Sequence, residues 1–204
     1  MHSMTADAPL SPDENDICEC VVMNQLNLRI FGEGLAVAVQ LFELLERGGG
    51  PPQVGVFGGV FNNYRMIAAK EGALNIYHFG CSLRELRQKV GLCPRTRDKT
   101  AGKKLREADK LFRQHFPNAE AIRHAIAHAG EVWTSPHRAA RHQLKQDHSG
   151  PDGSHISAGA HQAQMLSGRT YSVQWEGSMF QVTMDGGPLH ALSVIQALVD
   201  AALP

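Results

Sequence analysis

Aromatic side chains are scarce in this 204-residue chain, at 6% of the total. Few of them fall among the basic residues of 84–115, which argues against a surface there that reads nucleic acid by stacking bases. Net charge is absent too, since 20 Lys and Arg balance 20 Asp and Glu. No global field therefore draws the chain to polyanions or to a membrane surface. No apolar run approaches the roughly 18 residues of a membrane-spanning helix. Residues 1–16 carry neither a basic region nor an apolar stretch of the kind that makes a signal peptide. The four cysteines, Cys18, Cys20, Cys81 and Cys93, form no CxxC pair and no zinc-finger spacing. They read as reduced thiols of a cytoplasmic protein.

Familiar catalytic signatures are missing as well. Gly32-Glu33-Gly34 lacks the third glycine of a dinucleotide loop. Gly102-Lys103 lacks the upstream glycine of a P-loop, where Arg97 stands instead. There is no HExxH, no paired Glu-x-x-His of a di-iron bundle and no GxSxG turn. What is present is 43% apolar residues, enough for a core, and an unusually high 11 His.

Hydrophobic spacing predicts a mainly α fold, an up-and-down bundle of four or five helices with a small C-terminal β-hairpin. Residues 1–14 read as a flexible leader ahead of a single domain over 15–204. A first helix over about 15–47 carries Ile17, Val21, Leu28, Phe31, Leu35, Phe42 and Leu45, with Asp13 or Asp16 as its cap. Gly32 and Gly34 within it mark a kink or the close approach of another backbone. After a break at Gly48-Gly49-Gly50-Pro51-Pro52, a second helix carries Phe57, Val60, Phe61, Tyr64, Ile67, Ala68, Leu74 and Tyr77 and stops near Gly80. Ser82-Leu83-Arg84-Glu85 then has the spacing of a capping box for a short helix to Val90. Residues 100–116 make a third long helix, and Asn118 caps a fourth over 119–133, with Trp133 in the core. Residues 134–169 read as an insertion, lid or mobile loop holding five scattered His, with room for a short helix in 137–146. The segments 170–175 and 178–184 flank Glu176-Gly177 as a hairpin, and 188–203 form a last helix.

The informative stretch is Arg123-His124-Ala125-Ile126-Ala127-His128-Ala129-Gly130-Glu131. On a helix, Ile122 centres the apolar stripe, and His124, Ala127, His128 and Glu131 face the other way with Arg123 at one edge. Small residues between the histidines permit close approach of a ligand or another backbone. Arg and His together suit phosphodiester chemistry on RNA. A neutral imidazole can take a 2′-hydroxyl proton near neutral pH, and a guanidinium can hold the charge developing on phosphorus. Neither step needs a metal or a cofactor. Arg123 and His128 lie about 140° apart on one helix, so their convergence on one phosphate needs two copies facing each other.

Arg123-His124-x-x-x-His128 resembles the R-polar-x-x-x-H motif of the HEPN superfamily (higher eukaryotes and prokaryotes nucleotide-binding domain). Its members are helical bundles, often dimeric, and include metal-independent ribonucleases and toxins of toxin–antitoxin pairs. The layout is similar as well, with two long helices and a more variable middle ahead of the motif helix. The resemblance implies that Arg123 binds phosphate, that His128 is catalytic and that His124 is the polar residue, where Asn is commoner. It further implies a homodimer, RNA as ligand and an antitoxin-like protein partner. Glu131, on the same face, and His78, in Tyr77-His78-Phe79, are further binding candidates, although His78 also reads as a core or interface histidine.

Two other readings stand beside this one. The first is a non-catalytic helical interaction protein of the same fold. The second is a metal site on His124, His128 and Glu131 at i, i+4 and i+7, with His137 and His142 near in sequence. Residues 84–115 hold eleven Lys and Arg against four acids, a local +7 that suits either phosphate or a solvated helix face.

Overall fold

Ser11 starts the first helix, α1 (Pro12–Arg47). Its hydroxyl accepts from the Glu14 amide, the Glu14 carboxylate accepts from the Ser11 amide, and Pro12 fits the first turn. The helix thus begins inside the stretch expected as leader, and neither Asp13 nor Asp16 caps it. This computed structural model describes residues 10–48, 60–96, 99–151, 153–160 and 164–203, and within them all side chains but those of residues 60–63, 99 and 133. Residues 1–9, the 49–52 part of the predicted break, Phe57, Arg97 and His161 lie outside the described residues. So do the side chains of Val60, Phe61 and Trp133.

The chain is mainly α, with six helices and two small antiparallel sheets among the described residues. No helix among them is long and apolar enough to cross a membrane. The second helix, α2 (Val60–Lys89), runs antiparallel to α1. Phe31 stacks on His78 at 5.2 Å near mid-helix, and Arg65 lies over Phe42 at 4.7 Å toward the start of α2. A Cβ at Gly34 would strike the Asn75 amide, so close approach is the reason for that glycine, and α1 is one unbroken helix.

The expected end of α2 near Gly80 is corrected, as is the capping box at Ser82. A Cβ on Gly80 would fall on the Phe112 ring of α3 (Lys99–His115), so this glycine is a contact point between helices. Ser82 is buried within a continuous stripe of Ile76, Phe79, Leu83, Leu86 and Val90. With no break ahead of it, the helical hydrogen-bond ladder runs straight through.

The reading of four reduced thiols is corrected too. Cys18 and Cys93 form a disulfide that ties α1 to the 3₁₀ turn Pro94–Thr96, while Cys20 and Cys81 are free. Their separation of 75 residues leaves no local spacing to signal the pair.

Part of the local basic excess is engaged within the fold. Asp109, buried on α3, receives Arg87 at 2.5 Å and Arg113 at 2.8 Å. Lys104 donates to the Ala201 carbonyl at 2.6 Å, just beyond α6 (Gly186–Asp200). That last helix is capped by the Asp185 carboxylate and buries Leu192, Ile195 and Val199.

The fourth helix, α4 (Ala119–Ala127), stops short of the expected 133. His128 is its C-cap, and a turn leads into a 3₁₀ turn at Val132–Thr134. Asn118 makes no capping hydrogen bond through its side chain. The stretch 134–169, expected as an insertion, lid or mobile loop, carries regular structure among its described residues. It holds α5 (Pro136–His142), the paired strands β1 (His148–Ser149) and β2 (His155–Ile156), and β3 (Gln164–Ser167). Leu144 and Ile156 anchor it by burial.

β3 extends the expected hairpin into a three-stranded sheet, ordered β3-β4-β5, with β4 (Thr170–Trp175) central and β5 (Ser178–Thr183) at the edge. Glu176 (φ 49°) and Gly177 (φ 80°) both take positive φ, as a two-residue type I′ turn requires. Ala68, Ala69, Gly72 and Ala73 give α2 a small-residue face on which the sheet can sit. A Cβ at Gly72 would press on the Met184 sulfur. Phe42, Ile122, Ala125, Tyr171, Val173 and Met184 complete this second core, which seats β4 beside α4.

Candidate functional site

The core face of α4 (Ala119, Ile122, Ala125) sets His124 and His128 on its other side, toward the end of β4. Their rings lie nearly parallel, 6.0 Å apart, and flank the half-buried Trp175 at 6.3 and 5.8 Å. A third imidazole, His142 from the last turn of α5, approaches the same indole at 4.4 Å. With Glu131, Val132, Arg138 and Arg141 these residues line a cleft of about 290 Å³.

Two hydrogen bonds give the imidazoles opposite tautomers. His128 Nδ1 lies 2.9 Å from Glu131 Oε1. An ionised carboxylate only accepts, so this nitrogen carries a proton, and in the neutral ring the lone pair is on Nε2. His142 Nδ1 instead accepts from the Glu176 backbone N–H at 3.0 Å, which leaves its proton on Nε2. His128 can thus act as a base, and neutral His142 as a hydrogen-bond donor. The bond from His128 also holds the Glu131 carboxyl below its ordinary range.

His142 is fixed from both sides. The side-chain amide of buried Gln174 donates to the His142 carbonyl and, at 3.2 Å, to that of Ala160. The Glu176-Gly177 turn, which supplies the amide to Nδ1, is closed over by Lys145, whose backbone N–H donates to the Gly177 carbonyl at 3.0 Å. Burial, and then the neighbouring Arg141 guanidinium, hold the His142 imidazole below the usual histidine value, against an opposing pull from Glu176.

This shift has a sign that can be measured. The unfolded chain takes up a proton near pH 6.5, where the folded protein still resists it. The stability that His142 contributes is therefore complete above about pH 6.5 and is lost as pH falls below that value. The urea midpoint, followed by tryptophan fluorescence, is expected to drop between neutral pH and about pH 5. The drop should shrink in His142→Gln, whose amide oxygen can still accept from Glu176. An equal drop in both proteins would assign the effect to other histidines.

The guanidiniums make loose pairs, Arg138 with Glu131 and Arg141 with Glu176, both at 3.4 Å. Exposed pairs of this kind are worth little, so an incoming anion can displace them.

Arg123 does not line this cleft; its guanidinium lies 5.7 Å over the Tyr77 ring of α2. His78 is elsewhere too, exposed and stacked on Phe31, so it is not a core histidine. Glu131 joins His128, but through the turn after α4 and not along a helix face. Among the described residues no group of three His, Cys, Asp or Glu is placed to hold a metal ion, the trio His124, His128 and Glu131 included. Sequence spacing had no means of joining Arg138, Arg141 and Trp175 to the motif helix. They come from segments that α5 and the sheet bring together.

No protein-family model, no curated protein and no solved structure matches the chain.

Proposed function

We propose that this chain, an up-and-down helical bundle carrying a small sheet, binds the phosphodiester backbone of RNA in the Trp175 cleft and cleaves it without a metal. The observation that carries the reading is one cleft holding three imidazoles, two guanidiniums and an indole. His128, oriented by Glu131, takes the proton from a 2′-hydroxyl, whose oxygen attacks the adjacent phosphorus as the P–O5′ bond breaks, leaving a 2′,3′-cyclic phosphate and a 5′-hydroxyl protonated from solvent. Neutral His142 donates a hydrogen bond to a phosphoryl oxygen, and Arg138 and Arg141 hold the negative charge. The R-polar-x-x-x-H resemblance supplies His128 and His124 to this scheme. Arg123 keeps a phosphate role only if a second copy carries it to the cleft.

Binding of labelled single-stranded RNA separates these two assignments of the guanidinium. Each charge-assisted contact contributes on the order of 1.5–3 kcal/mol, so the double variant Arg138→Ala/Arg141→Ala is expected to weaken binding by roughly a hundredfold. Arg123→Ala should change it by less than about threefold. Loss of binding in Arg123→Ala with retention in the double variant would move the site to the motif-based dimer arrangement. Equal binding by all forms would remove RNA as the ligand.

A further inference from the structure

Helix α1 is apolar on two opposite sides. Val21, Leu28, Leu35 and Phe42 form a heptad series buried in the core. Two residues after each of them stands another apolar residue, about 200° around the helix. These are Met23 (53% exposed), Ile30 (49%), Val37 (63%) and Leu44 (67%), joined by exposed Leu26 and Leu41. A surface helix ordinarily carries polar residues on that side, and two apolar patches aligned along one helix, parted only at the Glu33-Gly34 turn, mark a contact surface.

The order of residues along the stripe says what fits it. Positions 23, 26, 30, 37, 41 and 44 are spaced 3, 4, 7, 4 and 3, a sequence that reads the same from either end. A two-fold axis between Glu33 and Gly34 therefore sets Met23 opposite Leu44, Leu26 opposite Leu41 and Ile30 opposite Val37. Charge favours the same antiparallel sense. The first part of α1 is acidic (Asp13, Glu14, Asp16, Glu19), and the antiparallel pairing brings exposed Glu19 within one residue of level with the partner helix's exposed Arg47. A parallel pairing would stack the acidic ends on each other. An anionic lipid surface fits poorly, because α1 carries seven acids (those four with Glu33, Glu43 and Glu46) against Arg29 and Arg47 alone.

We infer that the outer stripe of α1 binds the same stripe on a second copy of this chain, antiparallel, in an isologous dimer centred between Glu33 and Gly34. This interface uses neither α4 nor the Trp175 cleft.

Sedimentation equilibrium of the full chain tests it. The wild type is expected at twice 22.3 kDa, dissociating on dilution. Ile30→Glu/Val37→Glu sets like charges against each other and should weaken association roughly a hundredfold or more, with an unchanged circular dichroism spectrum since neither residue is in the core. Register is read by oxidation in a Cys20→Ser/Cys81→Ser background. Ile30→Cys and Val37→Cys in one chain lie about 10 Å apart, too far to join within a helix. The double variant should therefore form a covalent dimer, and Ile30→Cys alone should not. A wild-type monomer at every concentration overturns the inference and leaves residues 49–59 or a different protein as occupant. A dimer that survives both glutamates overturns the surface, and cross-linking by Ile30→Cys alone overturns the antiparallel sense.

Discussion

RNA incubated with His128→Ala in the presence of a chelator is expected to stay intact while the wild type cleaves it. A positioned general base contributes roughly 10²–10⁴-fold, so the loss should be of that order. Binding should change far less, since the proposed hold on the anion lies chiefly with Arg138 and Arg141. Glu131→Gln keeps a carbonyl oxygen for His128 Nδ1–H but loses the charge, and is expected to fall between wild type and His128→Ala. The comparison separates a base from a merely structural imidazole, which would show no graded response at Glu131. Cleavage that persists in His128→Ala would sink the mechanism, and cleavage that appears only with added divalent metal would turn the reading toward metal-assisted hydrolysis.

The second large effect is on stability. Reduction of the Cys18–Cys93 bond opens a loop spanning a separation of 75 residues. The chain entropy regained by the unfolded state is worth about 4 kcal/mol for a loop of that length. Urea denaturation with and without reductant should show a loss of this size, and Cys93→Ser should match the reduced wild type. A thiol titration of unreduced, unfolded protein should count the two free thiols, Cys20 and Cys81. Four reactive thiols, or a midpoint indifferent to reductant, would contradict the bond. Such a bond belongs with oxidising surroundings, which sets it against the cytoplasmic residence read from the residue pattern.

Where the sequence was legible, the signal was local and periodic. The long helices showed in the apolar spacing of α1, α2, α3 and α6, and the hairpin in Glu176-Gly177, because turn and period are properties of neighbouring residues. The errors came from features that mean different things in different surroundings. Gly80 looked like a terminus, and only the presence of Phe112 makes it a contact. Ser82 and Glu85 had the spacing of a cap, which works only if the preceding backbone has already left the helix. The disulfide and the meeting of the Arg138–His142 segment with Trp175 join residues far apart in the chain, where spacing carries no information. His124 and His128 were legible as a pair because α4 itself sets them on one side. His142 was visible as one of the scattered histidines of 134–169 and as a neighbour in sequence of the trio on the motif helix, with nothing to link it to Trp175.

The hold on His142 has a consequence for how the cleft can change over time. α5 meets the hairpin through the His142 ring and carbonyl, bonded by the Glu176 backbone amide and the Gln174 side chain. Arg138 takes no part in that docking, and Arg141 adds only the exposed, loose 3.4 Å pair with Glu176. The two guanidiniums are therefore free to be exchanged for other side chains while the short helix stays seated. Ligand preference can drift through a seven-residue cassette, with the long helices and their packing left as they are.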